Sequence, residues 1–307
     1  MSFDIDIANL TKKYGDTVAL ANMDLQVAEG EMLGLIGPDG AGKTTLLRIL
    51  CGLLSPSAGD CRIAGYSIRT QMHKIRTLLG YMPQRFSLYP DLTVAENLRF
   101  FARLFNVPAL EQRQRSERLL QFSRLAPFAA RRAQALSGGM KQKLALSCTL
   151  IHTPKILLLD EPTTGVDPVS RIEFWRILQE LSSQGVTILV TTPYMDEASK
   201  CDRVAFISGG SILAQDAPHN IPALFRHVLL ELYCDQHVRA ADILQQSPDL
   251  LSVHIFGNRI HVAGEDEKKM RHKINQLLAG SGMRPVSLKR IQASIEDVFV
   301  ELLKNAA

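Results

Sequence analysis

Long apolar runs are missing from these 307 residues: no stretch approaches the roughly 18 that a bilayer-crossing helix needs. The chain is therefore expected not to span a membrane by itself. Its first residues, MSFDIDIANL, lack the basic-then-apolar layout of a signal peptide. Cysteine is sparse and odd in number: Cys51, Cys61, Cys148, Cys201 and Cys234 are scattered, with no CxxC pair. That argues against a disulfide framework or a zinc site and fits a reducing cytosol. No long basic run occurs either. Lys and Arg total 35 against 31 for Asp and Glu, spread along the chain, so a nucleic-acid partner is not expected. What remains is an ordinary globular composition, 46% apolar and 21% charged, which excludes global disorder. At roughly 150 residues per domain the length predicts about two domains. There is no internal repeat and no low-complexity segment.

Apolar patterning predicts the organisation. Residues 1–30 read as strands, with Phe3, Ile5 and Ile7 alternating with polar neighbours. Met32–Ile36 is a short buried-strand run leading into a glycine-rich turn and an apolar helix from Thr44 to Leu54. Ile156–Leu159 and Val186–Val190 are two more buried strands, with a helical pattern over Pro168–Leu181 between them. Buried strands alternating with helices imply a parallel sheet covered on both faces. Between about 91 and 152 the spacing of Leu98, Phe101, Ala102 and Phe105, and of Leu119, Leu120 and Phe122, predicts a helical subdomain inserted into that sheet domain. After Ala217-Pro218 the pattern becomes βαββαβ, a ferredoxin-like unit, closed by a helix over Ser294–Leu303 with Ser294 and Asp297 as a capping box. The expected fold is α/β: a sheet domain over residues 1–220 and a small α+β accessory domain over 221–307. The histidines of the accessory part, His237, His254, His261 and His272, are not at metal-ligand spacing.

The turn Gly37-Pro38-Asp39-Gly40-Ala41-Gly42-Lys43-Thr44, with Thr45 behind it, fits GxxxxGK[ST]. A triphosphate needs several backbone N–H groups pointing inward, which glycine-permissive dihedrals allow. The following helix aims its positive end at the phosphates, Lys43 can reach the β and γ phosphates, and the Thr44 hydroxyl can ligate Mg²⁺. The apolar strand at Ile156 ends in Asp160-Glu161. An acid at the carboxyl end of a parallel strand stands where ligands bind in such sheets. Asp160 can hold Mg²⁺ and Glu161 can polarise a water for attack on the γ-phosphate.

A third motif joins these two. Leu136-Ser137-Gly138-Gly139-Met140-Lys141-Gln142 resembles the LSGGQ signature of ABC transporter ATPases, and the chain is similar to that family from about Phe3 to Asp216. In the same comparison Tyr81-Met82-Pro83-Gln84 resembles the Q-loop, Gly165-Val166-Asp167 the D-loop, and Tyr14 the aromatic residue that stacks on adenine. The tail Ser294–Phe299 resembles the end of ATPases that serve ABC-2 type exporters of drugs, ions or polysaccharides. The resemblance implies an ATP-binding P-loop ATPase fold and two ATPase domains set head to tail. Each ATP and Mg²⁺ would lie between the phosphate loop of one domain and Ser137, Gly138 and Gly139 of the other. Gln84 would sit near Mg²⁺ and the γ-phosphate. Partners would be a second ATPase chain or domain and integral-membrane permeases, reached at Arg85–Pro90 from the cytoplasmic face of the membrane. Packing within the helical subdomain is the other reading of Phe86, Leu88 and Tyr89.

Two positions depart from the family pattern. Pro193 stands where a switch histidine is usual, and proline has neither an imidazole nor an N–H. Losing one such contact costs about 10²–10³ in rate, so the chain's own site is expected to be slow and its partner unequal. Thr192 or Tyr194 is left to supply a hydroxyl. Asp39 stands where asparagine is usual and adds like charge beside a triphosphate. Two other functions fit the same motifs: a soluble ATPase of this type acting on ribosomes or DNA, and a nucleotide-gated assembly module with little turnover. The former usually carries two ATPase domains or a long coiled coil, and neither is visible.

Overall fold

The computed structural model describes residues 2–85 and 88–306, so Phe86 lies outside the described residues. The chain divides into two compact units: the second spans His219–Lys304, and the first comprises the residues up to Pro218 together with the chain's last residues from Asn305. The first opens with two long strands, β1 (Phe3–Tyr14) and β2 (Thr17–Ala28), joined by a tight turn at Gly15. β3 (Met32–Ile36) follows and runs through the glycine turn into α1 (Lys43–Leu50). Gly52 at φ +67° ends that helix earlier than the apolar pattern to Leu54 suggests, because a left-handed glycine satisfies the last helical carbonyls. Next come β4 (Ala58–Ile63), β5 (Tyr66–Ser67), α2 (Met72–Leu78) and β6 (Leu79–Met82). Three helices, α3 (Val94–Leu104), α4 (Ala109–Phe122) and α5 (Gly138–Leu150), lead to β7 (Ile156–Asp160), α6 (Pro168–Ser183), β8 (Thr187–Thr192), β9 (Arg203–Ser208) and β10 (Ser211–Asp216).

Six of these strands form one sheet in the order β10-β9-β3-β8-β7-β6, parallel throughout except for β10 at the edge. Every residue of β3, β7 and β8 is buried, as continuous apolar runs covered on both faces require. These three strands are neighbours, so Gly37, Asp160 and Thr192 emerge side by side at one end of the sheet. The remaining strands form an antiparallel sheet, β2-β1-β4-β5. Its inward residues Ile5, Ile7, Leu25 and Val27 share one core with Leu46 and Leu50 of α1 and with Leu33 and Leu35 of β3.

The helices α3, α4 and α5 enclose a core of their own, including Val94, Leu98, Leu120, Leu144 and Cys148. Thr93 and Glu96 cap α3 reciprocally. Asn97 is fully buried, and its amide donates to the carbonyls of Tyr89, Leu92 and Thr93 at 3.1, 3.2 and 2.9 Å. It thereby fixes the turn from Tyr89 to Thr93 ahead of α3. Leu88 packs on this core, while Tyr89 is half exposed with its ring 4.4 Å from that of Phe100.

The second unit contains β11 (Val228–Tyr233), α7 (His237–Gln245), β12 (Ser252–Phe256), β13 (Arg259–Gly264), α8 (Glu267–Gly280), β14 (Ser287–Ile291) and α9 (Ile295–Ala306). The strand order β12-β13-β11-β14, antiparallel at each step, is that of a ferredoxin-like unit. β14 starts just beyond Pro285, which has no N–H for the ladder. Ser294 and Asp297 form a reciprocal cap at the start of α9. Among the described residues no helix is long and apolar enough to cross a membrane.

Candidate functional site

The glycine turn leaves the buried strand β3 at Gly37. A Cβ there would lie 2.2 Å from the Ile207 carbonyl oxygen, so no side chain fits. Gly42 has φ +107°, and a Cβ on it would meet the Ala19 carbonyl at 2.6 Å. The loop is therefore pressed against its scaffold at two points where only glycine is tolerated. Pro38, Asp39 and Gly40 stand exposed at its crest, so the Asp39 carboxylate faces solvent, where its charge is screened. Ala41 is buried and Thr45 half-buried. The hairpin ending in Tyr14 belongs to the same surface: its second strand supplies the Ala19 carbonyl that touches Gly42. Tyr14 is half exposed there, with the Lys12 ammonium 5.0 Å from its ring centre.

Lys43, the first residue of α1, is 4% exposed. Its ammonium donates to the carbonyls of Gly37 and Pro38 at 2.7 and 3.0 Å and pairs with Glu161 Oε1 at 3.2 Å. The other oxygen of Glu161 accepts from Gln84 Nε2 at 2.9 Å and from the Thr164 hydroxyl at 3.4 Å. Glu161 has φ +47° although it precedes Pro162. A residue before proline is normally extended, so this backbone carries strain of about 1–3 kcal/mol. Thr191 holds it there: the Glu161 N–H donates to the Thr191 carbonyl at 3.1 Å and to its hydroxyl at 3.0 Å.

Asp160, at the end of β7, is 1% exposed. Its Oδ1 accepts from Thr44 at 3.1 Å and Thr191 at 2.9 Å, but its buried Oδ2 has no hydrogen-bond partner among the described residues. Burial pushes its pKa up, and Glu161 adds to that, against the opposing hydrogen bonds from the two threonines. A buried, unpaired carboxylate oxygen beside a hydroxyl is a hard-oxygen donor set, and it fits Mg²⁺. Thr44 and Asp160 are the groups brought together for such an ion, and the Gln84 amide is held nearby on Glu161.

Ser137, Gly138, Gly139 and Asp167 make a second cluster. Ser137 caps α5, its hydroxyl accepting from the Met140 N–H at 3.3 Å. A Cβ on Gly139 would lie 2.4 Å from Ser170, so α5 starts directly against α6. Asp167 caps α6 by accepting from the Ser170 N–H at 2.9 Å, and the hydrogen bonds from Ser170 hold its carboxyl below the ordinary range. Two helix N-termini thus open close together, with exposed serine and aspartate at their mouths.

Pro193 follows β8. The Thr192 hydroxyl, an expected substitute for a histidine, is spent: it donates to Glu197 at 2.5 Å and accepts from the Tyr194 N–H at 3.0 Å. Tyr194 lies under the guanidinium of Arg171, 4.3 Å from its ring centre. Sequence reasoning missed Thr191, which pairs with Asp160 in the sheet register, and Glu197. The Thr-Thr end of an otherwise apolar strand was the signal for the former; Glu197 had none.

The family model described as ABC transporter matches residues 20–164. The probable multidrug ABC transporter ATP-binding protein YbhF of Escherichia coli K12 is 39% identical over 310 residues, covering 98% of this chain. The chain spans 52% of that relative, about half its length. Nod factor export ATP-binding protein I of Ralstonia nicotianae is 36% identical over 304 residues, covering 97% of this chain and 93% of that protein. Among solved structures, cbiO1 of Clostridium perfringens, part of the ABC transporter complex cbiONQ, superposes with a TM-score of 0.68 at 28% identity, over 73% of this chain and 92% of that one. The dimeric cassette MJ0796, in a post-hydrolysis state with ADP and Pi, gives a TM-score of 0.63 at 29% identity, over 69% and 98%.

Proposed function

This chain belongs to the ATP-binding proteins of ABC transporters, and from that premise we propose that it powers a membrane exporter through ATP-driven closure of two ATPase domains. Relatives named for multidrug transport and for Nod factor export support the direction. The observation that carries the reading is the meeting of Lys43, Thr44, Gln84, Asp160 and Glu161 at one end of three adjacent buried strands.

In this reading the N–H groups of Gly40 to Thr44 bind the phosphates, with Thr45 beside them, and Lys43 exchanges Glu161 for β and γ oxygens. That exchange releases Glu161 to take a proton from the attacking water, and Gln84 orients it. Mg²⁺, held by Thr44, Asp160 and Gln84, would neutralise phosphate charge. Tyr14 stacks on the base. Ser137, Gly138, Gly139 and Asp167 act on the nucleotide of the partner domain, because the two clusters of one chain face different ligands. Residues 1–220 carry this chemistry and 221–307 form an accessory domain. A cleft lined by Leu53, Leu79, Tyr81, Leu104, Phe105 and Pro108, with Leu53 and Leu104 about 60% exposed (61% and 59%), offers an apolar seat for a permease segment. The protein accordingly works at the cytoplasmic face of the membrane.

Pro193 sets the pace of the chain's own site, since the nearest hydroxyl is already committed to Glu197. The chain closes on a second copy of itself or on an unequal ATPase, and in the unequal pair the partner carries the faster site. Light scattering and turnover test the whole reading. Glu161→Gln should dimerise on adding ATP and lose turnover by about 10²–10⁴-fold, because binding survives while the base does not. Pro193→His should raise turnover. A monomer at saturating ATP contradicts the closure mechanism, and an unchanged rate in Pro193→His contradicts the assignment of Pro193.

A further inference from the structure

Glu197 lies on the short turn after β8, 2% exposed, and uses both carboxylate oxygens. Oε2 accepts from the Thr192 hydroxyl at 2.5 Å. Oε1 accepts from the Thr163 hydroxyl at 2.7 Å and from Arg171 Nε and Nη2 at 3.2 and 2.9 Å. Each donor comes from a different segment. Thr192 ends β8 immediately before Pro193. Thr163 lies just beyond Glu161. Arg171 stands at the start of α6, where its N–H donates to the Asp167 carbonyl at 2.9 Å and its side chain also reaches Asp196 at 3.4 Å.

The first turn of α6 carries Asp167 and Ser170, and Ser170 fills the space beside Gly139. One buried carboxylate therefore fixes the end of β8, the stretch after Glu161 and the helix start that abuts Ser137. Charge-assisted hydrogen bonds to a buried acid are short and strong, and losing one partner leaves the others unpaired. Such a group does not stretch; it carries its neighbours with it. Thr192 spends its proton here and not on a nucleotide, so a displacement at that strand end passes to α6.

We propose that Glu197 is a positioning residue that couples the hydrolytic side of the chain's own nucleotide site to the Ser137–Asp167 cluster that the chain presents to its partner. This rests on the head-to-tail reading above. It predicts that Glu197 in one chain governs the rate at the other chain's site.

Mixed dimers test it. A fixed amount of intact chain is driven into pairs by excess Lys43→Ala chain, which offers only its Ser137–Asp167 cluster, and turnover at the intact site is measured. Adding Glu197→Gln to the Lys43→Ala chain should lower kcat at the intact site roughly tenfold, with KM for ATP and dimer yield within about twofold. Arg171→Gln, made on a partly exposed side chain, should reproduce the loss, and it replaces Glu197→Gln if that variant fails to fold. A merely structural role would lower folded yield and leave kcat per dimer unchanged. Equal kcat at equal dimer yield overturns the coupling and leaves the dimer reading intact. Absence of any ATP-dependent pairing between intact chains overturns both.

Discussion

Each unit holds a buried aspartate at the end of an element, and the two are treated oppositely. Asp160, in the first unit, is 1% exposed and keeps one oxygen without a partner among the described residues, and burial pushes its pKa up. Asp297, in the second unit, is 5% exposed. His261 Nδ1 lies 2.7 Å from its Oδ1, while Ser294 donates to its Oδ2 from the backbone at 2.8 Å and the hydroxyl at 2.6 Å. Burial pushes Asp297 up as well, but these bonds outweigh it and hold the carboxyl below the ordinary range. A buried acid that the fold fully satisfies is part of the architecture. One left short of partners beside a lysine, a second acid and a glycine turn is waiting on chemistry supplied from outside the chain.

Exchanging the two roles by mutation is the sharpest way to break this contrast. Asp160→Asn should cut Mg²⁺-dependent ATP turnover by about 10²-fold or more while leaving the melting temperature no lower, since a buried charge is removed. Asp297→Ala should leave turnover within about twofold but lower unfolding free energy by about 2–4 kcal/mol, from a lost helix cap and a lost charged hydrogen bond. Denaturant unfolding of the full chain and an ATPase assay read both. If Asp297→Ala silences the enzyme, or Asp160→Asn unfolds it, the contrast fails.

The pH dependence is smaller in effect and opposite in sign for the two acids. With its folded pKa raised, Asp160 costs stability as pH climbs from its ordinary value of 3.8 through the raised one, so Asp160→Asn gains on the unmodified chain as pH rises from 4 towards 7. With its folded pKa depressed, Asp297 contributes stability above 3.8 that is lost as pH falls through the lower value, so the penalty of Asp297→Ala shrinks in acid. Melting curves of Asp160→Asn above pH 4 and of Asp297→Ala below it give the two slopes, and slopes of the same sign would contradict the assignment.

The same contrast explains what could be read in advance. The phosphate loop was legible because its residues are consecutive: the glycines, Lys43 and Thr44 lie in one run of eight, although what holds Gly37 and Gly42 in place is backbone of β9 and β2 far along the chain. β7 and its acids were legible because an apolar run ending in two carboxylates has few structural explanations. The antiparallel sheet was only half visible. In β4, Ala-Gly-Asp-Cys-Arg-Ile, only Cys61 and Ile63 are fully buried, so the pairing with β1 supplies what the pattern lacks. Glu197 was invisible for a deeper reason. Its partners Thr163, Thr192 and Arg171 come from separate segments, and an isolated glutamate in a polar turn looks solvated until the fold buries it. Thr191 is the intermediate case, a polar residue on a buried strand whose use appears only when the register sets it opposite Asp160.

Calorimetric titration with ATP, in Mg²⁺ and in EDTA, tests the central claim most directly when the intact chain is compared with Lys43→Ala. The account predicts tight binding that weakens without Mg²⁺, and a loss of roughly tenfold to a hundredfold in affinity when the ammonium beside Gly37 and Glu161 is removed. Equal affinity for ATP in the two proteins would mean that the glycine turn is not where the triphosphate binds.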